Sequence, residues 1–340
     1  DFRKSEFETY TTEFALLFGE INLSLKKLSK WAKHKRIRTD LANFPAKSYI
    51  QPEPYGNTLI IGTWNYPYQL SILPAVSAIA AGNTAIIKPS EISSHCSKAI
   101  AKIINEAFDL EILHVIEGDI ETNKFLLDQK WDYIFFTGST KVGKIVYQAA
   151  AKNLTPLTLE LGGKSPTFVC ADADLKMSAK RIVWGKFLNS GQTCVAPDYI
   201  LVDEIIKDEF LKNLIEQIEL IYQNNYENNE AYMSIISKNH FNRLKKLMEC
   251  SKIFYGGQTN EDLKIIEPTL LYPVNLDEPV MQEEIFGPIL PILTFSNIDD
   301  AIKIVKQNDK PLALYLFTKN NQTKKKVFSE ISFGGGAIND

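Results

Sequence analysis

Histidine and cysteine are scarce in this 340-residue chain, with four of each, and that shortage narrows the chemistry open to it. Cys96, Cys170, Cys194 and Cys250 lie far apart with no CxxC spacing. Neither a disulfide framework nor a zinc knuckle is encoded, no metal is expected, and a reducing cytoplasm is the default. His34, His95, His114 and His240 fall in no motif, so a cysteine-protease pairing would lack its base. Charge of one sign is also missing. With 38 basic and 41 acidic side chains the net charge is -3, too weak a field to point to nucleic acid or an anionic membrane. The basic run Lys33-His34-Lys35-Arg36 reads as a solvated helix end. The most apolar stretch, Leu70 to Ile87, is broken by Pro74, Gly82 and Asn83 and reads as a core helix plus a strand, not a membrane span. No signal peptide is visible, and the chain starts at Asp1 without Met and stops at Asp340 just after Gly334-Gly335-Gly336. The expectation is that one or both ends have been trimmed from a longer protein.

What is present is apolar mass: 45% of the residues are hydrophobic, enough for roughly two ordinary domains. Glu6 to His34 carries helical periodicity through Phe14, Leu17, Phe18, Ile21, Leu25 and Leu28, which predicts two packing helices broken near Gly19. Pro52 and Pro54 keep the stretch Lys47 to Tyr55 extended, at a sheet edge or as a bridge. From Thr58 the rhythm changes. Apolar runs at Leu59-Ile61, Ala85-Ile87, Ile112-Ile116, Tyr133-Phe136 and Leu157-Leu161 alternate with helical patterns at Gln69-Ala81, Ser94-Ala107, Ile120-Leu127 and Lys141-Ala151. This alternation predicts an α/β fold: a parallel sheet with helices on both faces.

A second α/β domain follows less cleanly after Glu160-Gly163. Its strands are expected near Thr167-Val169, Ile200-Val202, Ile265-Leu271, Ile289-Leu293 and Leu312-Phe317, and its helices at Leu175-Leu188, Ile205-Tyr222, His240-Met248 and Ile298-Gln307. The division is 1–160, with 45–56 as a bridging strand, and 161–340.

In parallel sheets ligands bind where strands end and helices begin. Three loops stand out there: Gly62-Thr63-Trp64-Asn65-Tyr66-Pro67, Lys88-Pro89-Ser90-Glu91 and Thr137-Gly138-Ser139-Thr140-Lys141-Val142-Gly143. The last offers Ser139 as an N-cap and a helix N-terminus for an anion such as a pyrophosphate, although its glycines do not form the GxGxxG fingerprint. Lys88 and Glu91 could hydrogen-bond ribose hydroxyls, or could be ordinary turn residues. Cys194 sits in Gly191-Gln192-Thr193-Cys194, after a helical pattern ends and before Pro197, and so belongs to a loop. Cys96, Cys170 and Cys250 read instead as small core residues. Alternation puts Leu157, Leu159 and Leu161 on one face and Thr158 with Glu160 on the other, which leaves Glu160 at a strand end where a carboxylate can act as a general base. A thiol needs such activation, and an attacked carbonyl needs donors for its oxyanion, for which the Asn65 amide and the Cys194 backbone N–H are candidates.

These motifs, together with Leu159-Glu160-Leu161-Gly162-Gly163-Lys164-Ser165-Pro166 and Gln282-Glu283-Glu284-Ile285-Phe286-Gly287-Pro288, resemble the aldehyde dehydrogenase superfamily over almost the whole chain. Leu154-Thr155-Pro156, Cys194-Val195-Ala196-Pro197-Asp198-Tyr199 and Lys310-Pro311-Leu312-Ala313-Leu314-Tyr315 resemble its class 3, fatty-aldehyde branch. The resemblance implies a Rossmann-like cofactor domain plus a catalytic domain. It implies oxidation of an aliphatic or aromatic aldehyde to an acid through a thiohemiacetal and a thioester on Cys194, with Glu160 activating water and Asn65 holding the oxyanion. NAD or NADP would be bound by Lys88 and Glu91 at the adenine ribose, by Gly138, Ser139, Val142 and Gly143 at the pyrophosphate, and by Glu284 and Phe286 at the nicotinamide end. Trp64 and Leu161 would line its cleft, and Tyr66 the substrate side. Members continue past the equivalent of Asp340 with a segment that completes a subunit contact, which implies a homodimer for a full-length protein. Two alternatives are a relative that passes the acyl group to coenzyme A, disfavoured by retention of Glu160, and a non-catalytic binding homologue.

Overall fold

The computed structural model describes residues 1–340 as two compact units, one made of Asp1 with Glu6–Glu160 and the other of Phe2–Ser5 with Leu161–Asp340. No helix is long and apolar enough to cross a membrane.

In the first unit five strands, Asn57–Ile61, Thr84–Lys88, Leu113–Val115, Tyr133–Thr137 and Leu157–Glu160, form a parallel sheet. The first of them lies at the centre, the next two run outward on one side and the last two on the other. Strand order therefore reverses at Asn57–Ile61, the kind of switch point that opens a crevice beyond the strand ends. Helices Pro67–Ala80, Ser94–Ala107, Ile120–Leu127 and Thr140–Ala151 are the crossovers. Ile60, Ile87, Ile100 and Val115 form the core on one face, each close to fully buried.

The N-terminal segment corrects the expected break at Gly19. Helix Ala15–Trp31 runs through this glycine, and the irregularity is instead a π-helical turn at Tyr10–Phe14. Gly19 is exposed with open space around it, so it costs the helix only about 1 kcal/mol of propensity and does not stop it. Lys35 and Arg36 are likewise not a helix end. Lys35–Ile37 pairs antiparallel with Ser48–Ile50, which confirms an extended stretch ahead of Pro52.

In the second unit seven strands form one sheet, in the order Ile253–Tyr255, Thr269–Leu271, Ile289–Phe295, Tyr199–Asp203, Pro166–Val169, Ala313–Phe317 and Gly335–Ile338. All pairings are parallel except the one between the first two. Its central strands are buried on both faces, which is why they read as unbroken apolar runs. Phe168, Leu201 and Leu314 pack in one core, and Val183, Ile200 and Phe210 in another. The strand expected at Ile265–Leu271 is split. Ile265–Ile266 joins a separate two-stranded ribbon and Thr269–Leu271 joins the large sheet, because Pro268 between them has no N–H to give a ladder. Strands Ile253–Tyr255 and Gly335–Ile338 and helix Asn321–Glu330 are absent from the sequence reading. Cys250 is exposed at the end of helix Lys238–Glu249 and is not a core residue, whereas Cys170 is buried.

Candidate active site

In the first unit the chain leaves the central strand at Gly62, whose N–H bonds Lys88 O at 3.0 Å. A Cβ here would lie 2.2 Å from Ser71 Oγ, so the turn needs glycine. Trp64, Asn65 and Tyr66 follow and are all buried, which is unusual for a connecting loop. Helix Pro67–Ala80 then starts with proline at its first turn. Its N-terminus is served from a distance: the buried Glu13 carboxylate accepts from Tyr68 N at 2.8 Å and Gln69 N at 3.2 Å. A carboxylate against a helix N-terminus is doubly favoured, by hydrogen bonds and by the helix dipole. Sequence reading treated Glu13 only as part of a packing helix; its place in the π-helical turn is the missing signal.

Lys88, at the end of the neighbouring strand, is 1% exposed. Its ammonium donates to Pro89 O at 2.7 Å and to Glu91 at 3.1 Å. The structure thus brings Lys88 and Glu91 together, and Lys88 is not a surface turn residue. Beside Glu91 an open cavity of about 510 Å³ is lined by Ser94, Ser97, Glu117, Gly118, Asp119 and Thr122 as well. Gly118 to Thr122 follow strand Leu113–Val115, a fourth strand end that obeys the same rule as the three loops singled out above. A Cβ on Gly118 would fall 2.1 Å from Thr122 Oγ1.

At the fourth strand, Gly138 N bonds Glu160 O at 3.0 Å, and Ser139 caps helix Thr140–Ala151 by accepting from Val142 N at 3.4 Å. Val142 is exposed and Gly143 buried. Glu160 ends its strand with an exposed side chain, in register with Thr137. Cavity, capped helix start and lysine–carboxylate pair suit a dinucleotide: the helix N-terminus supplies N–H donors for phosphate, and Glu91 supplies an acceptor for hydroxyls.

The second unit assembles its candidate residues at the amino ends of its parallel strands, whereas the loops singled out in the first unit lie at carboxyl ends. Cys194 precedes strand Tyr199–Asp203, Lys164 precedes Pro166–Val169, and Glu284 and Phe286 precede Ile289–Phe295. Helix Leu175–Phe187 stops, and Asn189 and Ser190 turn left-handed at φ 52° and 50°. Gly191 follows at φ 71°, where a Cβ would lie 2.3 Å from Gly287 O. Gln192, fully buried, donates to Asn189 O and Ser234 O and accepts from Ile236 N. Ser190 Oγ donates to Met233 O at 2.6 Å. Ala196 N closes a tight turn on Thr193 O at 3.0 Å, and the half-buried Cys194 lies within it. A strained, heavily bonded loop of this kind holds a side chain still.

Asp198, four residues on, bonds Ser165 O through its N–H and Ile285 N through its carboxylate at 2.8 Å. Its other oxygen pairs with Lys164, whose ammonium also donates to Val280 O and Glu283 O at 2.9 Å. Beside them Lys186 is fully buried, and desolvation pulls its pKa down to about 8 against the pull of Asp198. Desolvation also pushes Glu284 up to about 7, helped by the Asp198 charge and opposed by the Gly163 N–H. The Glu284 carboxylate lies over Gly162, with Oε1 2.2 Å and Oε2 2.4 Å from where a Cβ would stand. Phe286 takes a left-handed backbone at φ 51°. Lys186 went unread inside an ordinary-looking helix, and Asp198, although part of the motif that starts at Cys194, gave no sign of its buried pairing with Lys164.

A family profile described as "Aldehyde dehydrogenase family" matches residues 8–340. The chain is 49% identical over its whole length to 4,4'-diaponeurosporen-aldehyde dehydrogenase of Staphylococcus aureus, covering 74% of that protein. It is 46% identical to aldehyde dehydrogenase family 3 member A2 of Pongo abelii, with 100% of this chain and 70% of the relative covered. With the dimeric NADP-preferring aldehyde dehydrogenase of Mus musculus it shares 45%, over 99% and 75% of the two chains. The solved substrate-bound state of Staphylococcus aureus AldH superposes with a TM-score of 0.98 at 49% identity, over 100% of this chain and 75% of that one.

Proposed function

Since the chain belongs to the aldehyde dehydrogenase family, whose members oxidise aldehydes to carboxylic acids with NAD or NADP, we propose that Cys194 is its nucleophile and Glu160 its water-activating base. The observation that carries the nucleophile assignment is the Cys194 turn, held by the hydrogen bonds of Gln192 and Ser190 and by the close approach of Gly191 to Gly287, while Cys194 itself stays only half-buried. A thiol is only a few per cent ionised at neutral pH, so its power comes from placement and from a nearby base. Cys194 Sγ adds to the aldehyde carbonyl, and the thiohemiacetal oxygen is stabilised by the Cys194 N–H and the Asn65 amide. Bound NAD(P) supplies the hydride acceptor. Glu160 then takes a proton from water, which attacks the thioester carbon and returns the thiol with release of the acid.

Lys88, Glu91, Gly138, Ser139, Val142 and Gly143 are assigned to the adenosine and pyrophosphate end of the cofactor, and Trp64, Leu161, Glu284 and Phe286 to its other end. Glu91 favours free ribose hydroxyls, so NAD is the preferred cofactor in this proposal. The resemblance to the class 3 branch supports medium- to long-chain aliphatic or aromatic aldehydes as substrates, with Tyr66 on the substrate side. Homodimer formation is part of the same proposal. It is supported by one relative's name and by the exposed Leu25, Trp31, Tyr49 and Ile50. So is a reducing cytoplasmic setting, which keeps the Cys194 thiol available.

Incubation with NAD or NADP and an aldehyde chain-length series tests the proposal through formation of reduced cofactor. C194S should abolish it, and N65A should lower it about a hundred- to a thousandfold. Turnover by C194S at the parent rate would overturn the assignment, and a product dependent on coenzyme A would move the protein to the acylating branch.

A further inference from the structure

Gln192 and Asp198 fix the chain on either side of the nucleophile turn, yet between them Val195 is bonded by a group from a distant part of the sequence. Tyr315 lies on strand Ala313–Phe317, which is held between Pro166–Val169 and Gly335–Ile338 with Tyr315 opposite Thr167 on one side and Ala337 on the other. A residue in the interior of a seven-stranded sheet is as firmly placed as any in the molecule. Its ring packs against the sheet core, and its hydroxyl donates to Val195 O at 2.5 Å. Val195 immediately follows Cys194, and its carbonyl is inside the turn closed by Ala196 N and Thr193 O.

We propose that Tyr315 is a positioning residue for the reaction: its hydroxyl, anchored by the seven-stranded sheet, fixes the Val195 carbonyl and thereby the direction of the Cys194 thiol and N–H. This proposal rests on the reading of Cys194 as nucleophile. The Val195 carbonyl lies in the four-residue turn closed by Ala196 N and Thr193 O, so holding it restricts the backbone rotations within that turn through which the thiol could be redirected. Burial and the neighbouring Cys194 push the phenol up to about 12, so Tyr315 remains a donor throughout the working pH range and through any ionisation of the thiol. A fixed attack geometry is where placement contributes most, because a misalignment of an ångström is worth up to a hundredfold.

Tyr315→Phe keeps the ring and removes only the donor. In single-turnover experiments with saturating NAD and an aldehyde, Y315F is expected to form reduced cofactor about tenfold more slowly, as the loss of one positioning hydrogen bond implies. Its cofactor KM and melting temperature should stay at the parent values. A parent acylation rate in Y315F overturns the proposal. So does a loss shared evenly among cofactor KM, turnover and melting temperature, which marks a merely structural role. Should Y315F fold poorly, 3-fluorotyrosine at position 315 keeps the size and strengthens the donor. It should acylate at least as fast as the parent, and slower acylation overturns the proposal. C194S run in parallel separates the failures: activity surviving in C194S sinks the nucleophile reading, whereas dead C194S beside parental Y315F sinks only the positioning role.

Discussion

Replacing Asp198 by Asn perturbs the most buried charge cluster in the second unit while changing almost no volume. The side chains of Lys164 and Asp198 are 6% and 4% exposed. The amide oxygen can still accept from Ile285 N, but the NH2 then faces the Lys164 ammonium, so the substitution removes both the charge and the acceptor that Lys164 used. Lys164 and the buried Lys186 are then left facing one another, with Glu284 the remaining carboxylate acting on Lys186. Breaking a buried pair and leaving its partner charged costs about 3–5 kcal/mol. Val280 O and Glu283 O still hold the ammonium, which places the expectation near ~3 kcal/mol. For a unit of this size that lowers the melting temperature by roughly 6–12 °C. Thermal unfolding followed by near-ultraviolet circular dichroism reads the change. A double variant, Lys164→Met with Asp198→Leu, removes both charges and should recover most of the loss. A melting temperature for D198N within about 1 °C of the parent refutes the reasoning, as does a double variant no more stable than the single one.

Glu284→Gln tests the raised carboxyl. Since its folded pKa of about 7 lies above the reference 4.5, the native state binds more protons between those values, and stability falls as pH rises through that window. E284Q should therefore be more stable than the parent at pH 8, by up to ~3 kcal/mol, and nearly equal to it at pH 4; equal urea midpoints at both pH values contradict this. Lys186 works the other way: with a folded pKa of about 8 below the reference 10.5, it costs stability below pH 8, and Lys186→Met should stabilise at pH 7 but not at pH 11 if the pocket carries the charge at a cost. Gly162→Ala meets only the movable Glu284 carboxylate and should fold normally with a changed cofactor KM, whereas Gly191→Ala meets the Gly287 backbone at φ 71° and should lose both stability and activity. Equal melting temperatures for the two alanine variants speak against the steric argument. Ser139→Ala should cost about 1 kcal/mol of helix stability and raise cofactor KM while leaving single-turnover acylation at saturation unchanged; an unchanged KM removes Ser139 from the cofactor site.

Much of this was legible in the chain itself. The five strands of the first unit alternate so regularly with their crossover helices that periodicity located each of them, and the loops at Asn65, Lys88 and Ser139 followed from the strand-end rule. Cys194 stood out because Gly, Gln, Thr and Pro surround it where a core cysteine would have apolar neighbours. The same logic failed where tertiary contacts override local pattern. Gly19 sits in a helix because nothing crowds it and Leu17 is buried. The run Ile265–Leu271 looks like one strand, yet Pro268 divides it between two sheets. Glu13, Lys186 and Asp198 carry ordinary local signatures, since their partners lie far along the chain: Glu13 caps a helix 55 residues on, and Asp198 meets Ile285 N across 87. Tyr315 closed a motif that resembled a branch of the family, and nothing local to it revealed a hydrogen bond spanning 120 residues.

In the proposed mechanism Cys194 carries the acyl group and Glu160 releases it. Glu160→Gln mixed with aldehyde and NAD, quenched and examined by peptide mass spectrometry, measures both at once. An acyl adduct on the peptide containing Cys194, accumulating in E160Q with steady-state turnover reduced about a hundred- to ten-thousandfold, is the predicted result. An adduct on Cys96, Cys170 or Cys250 contradicts it, and so does parental turnover by E160Q with no adduct.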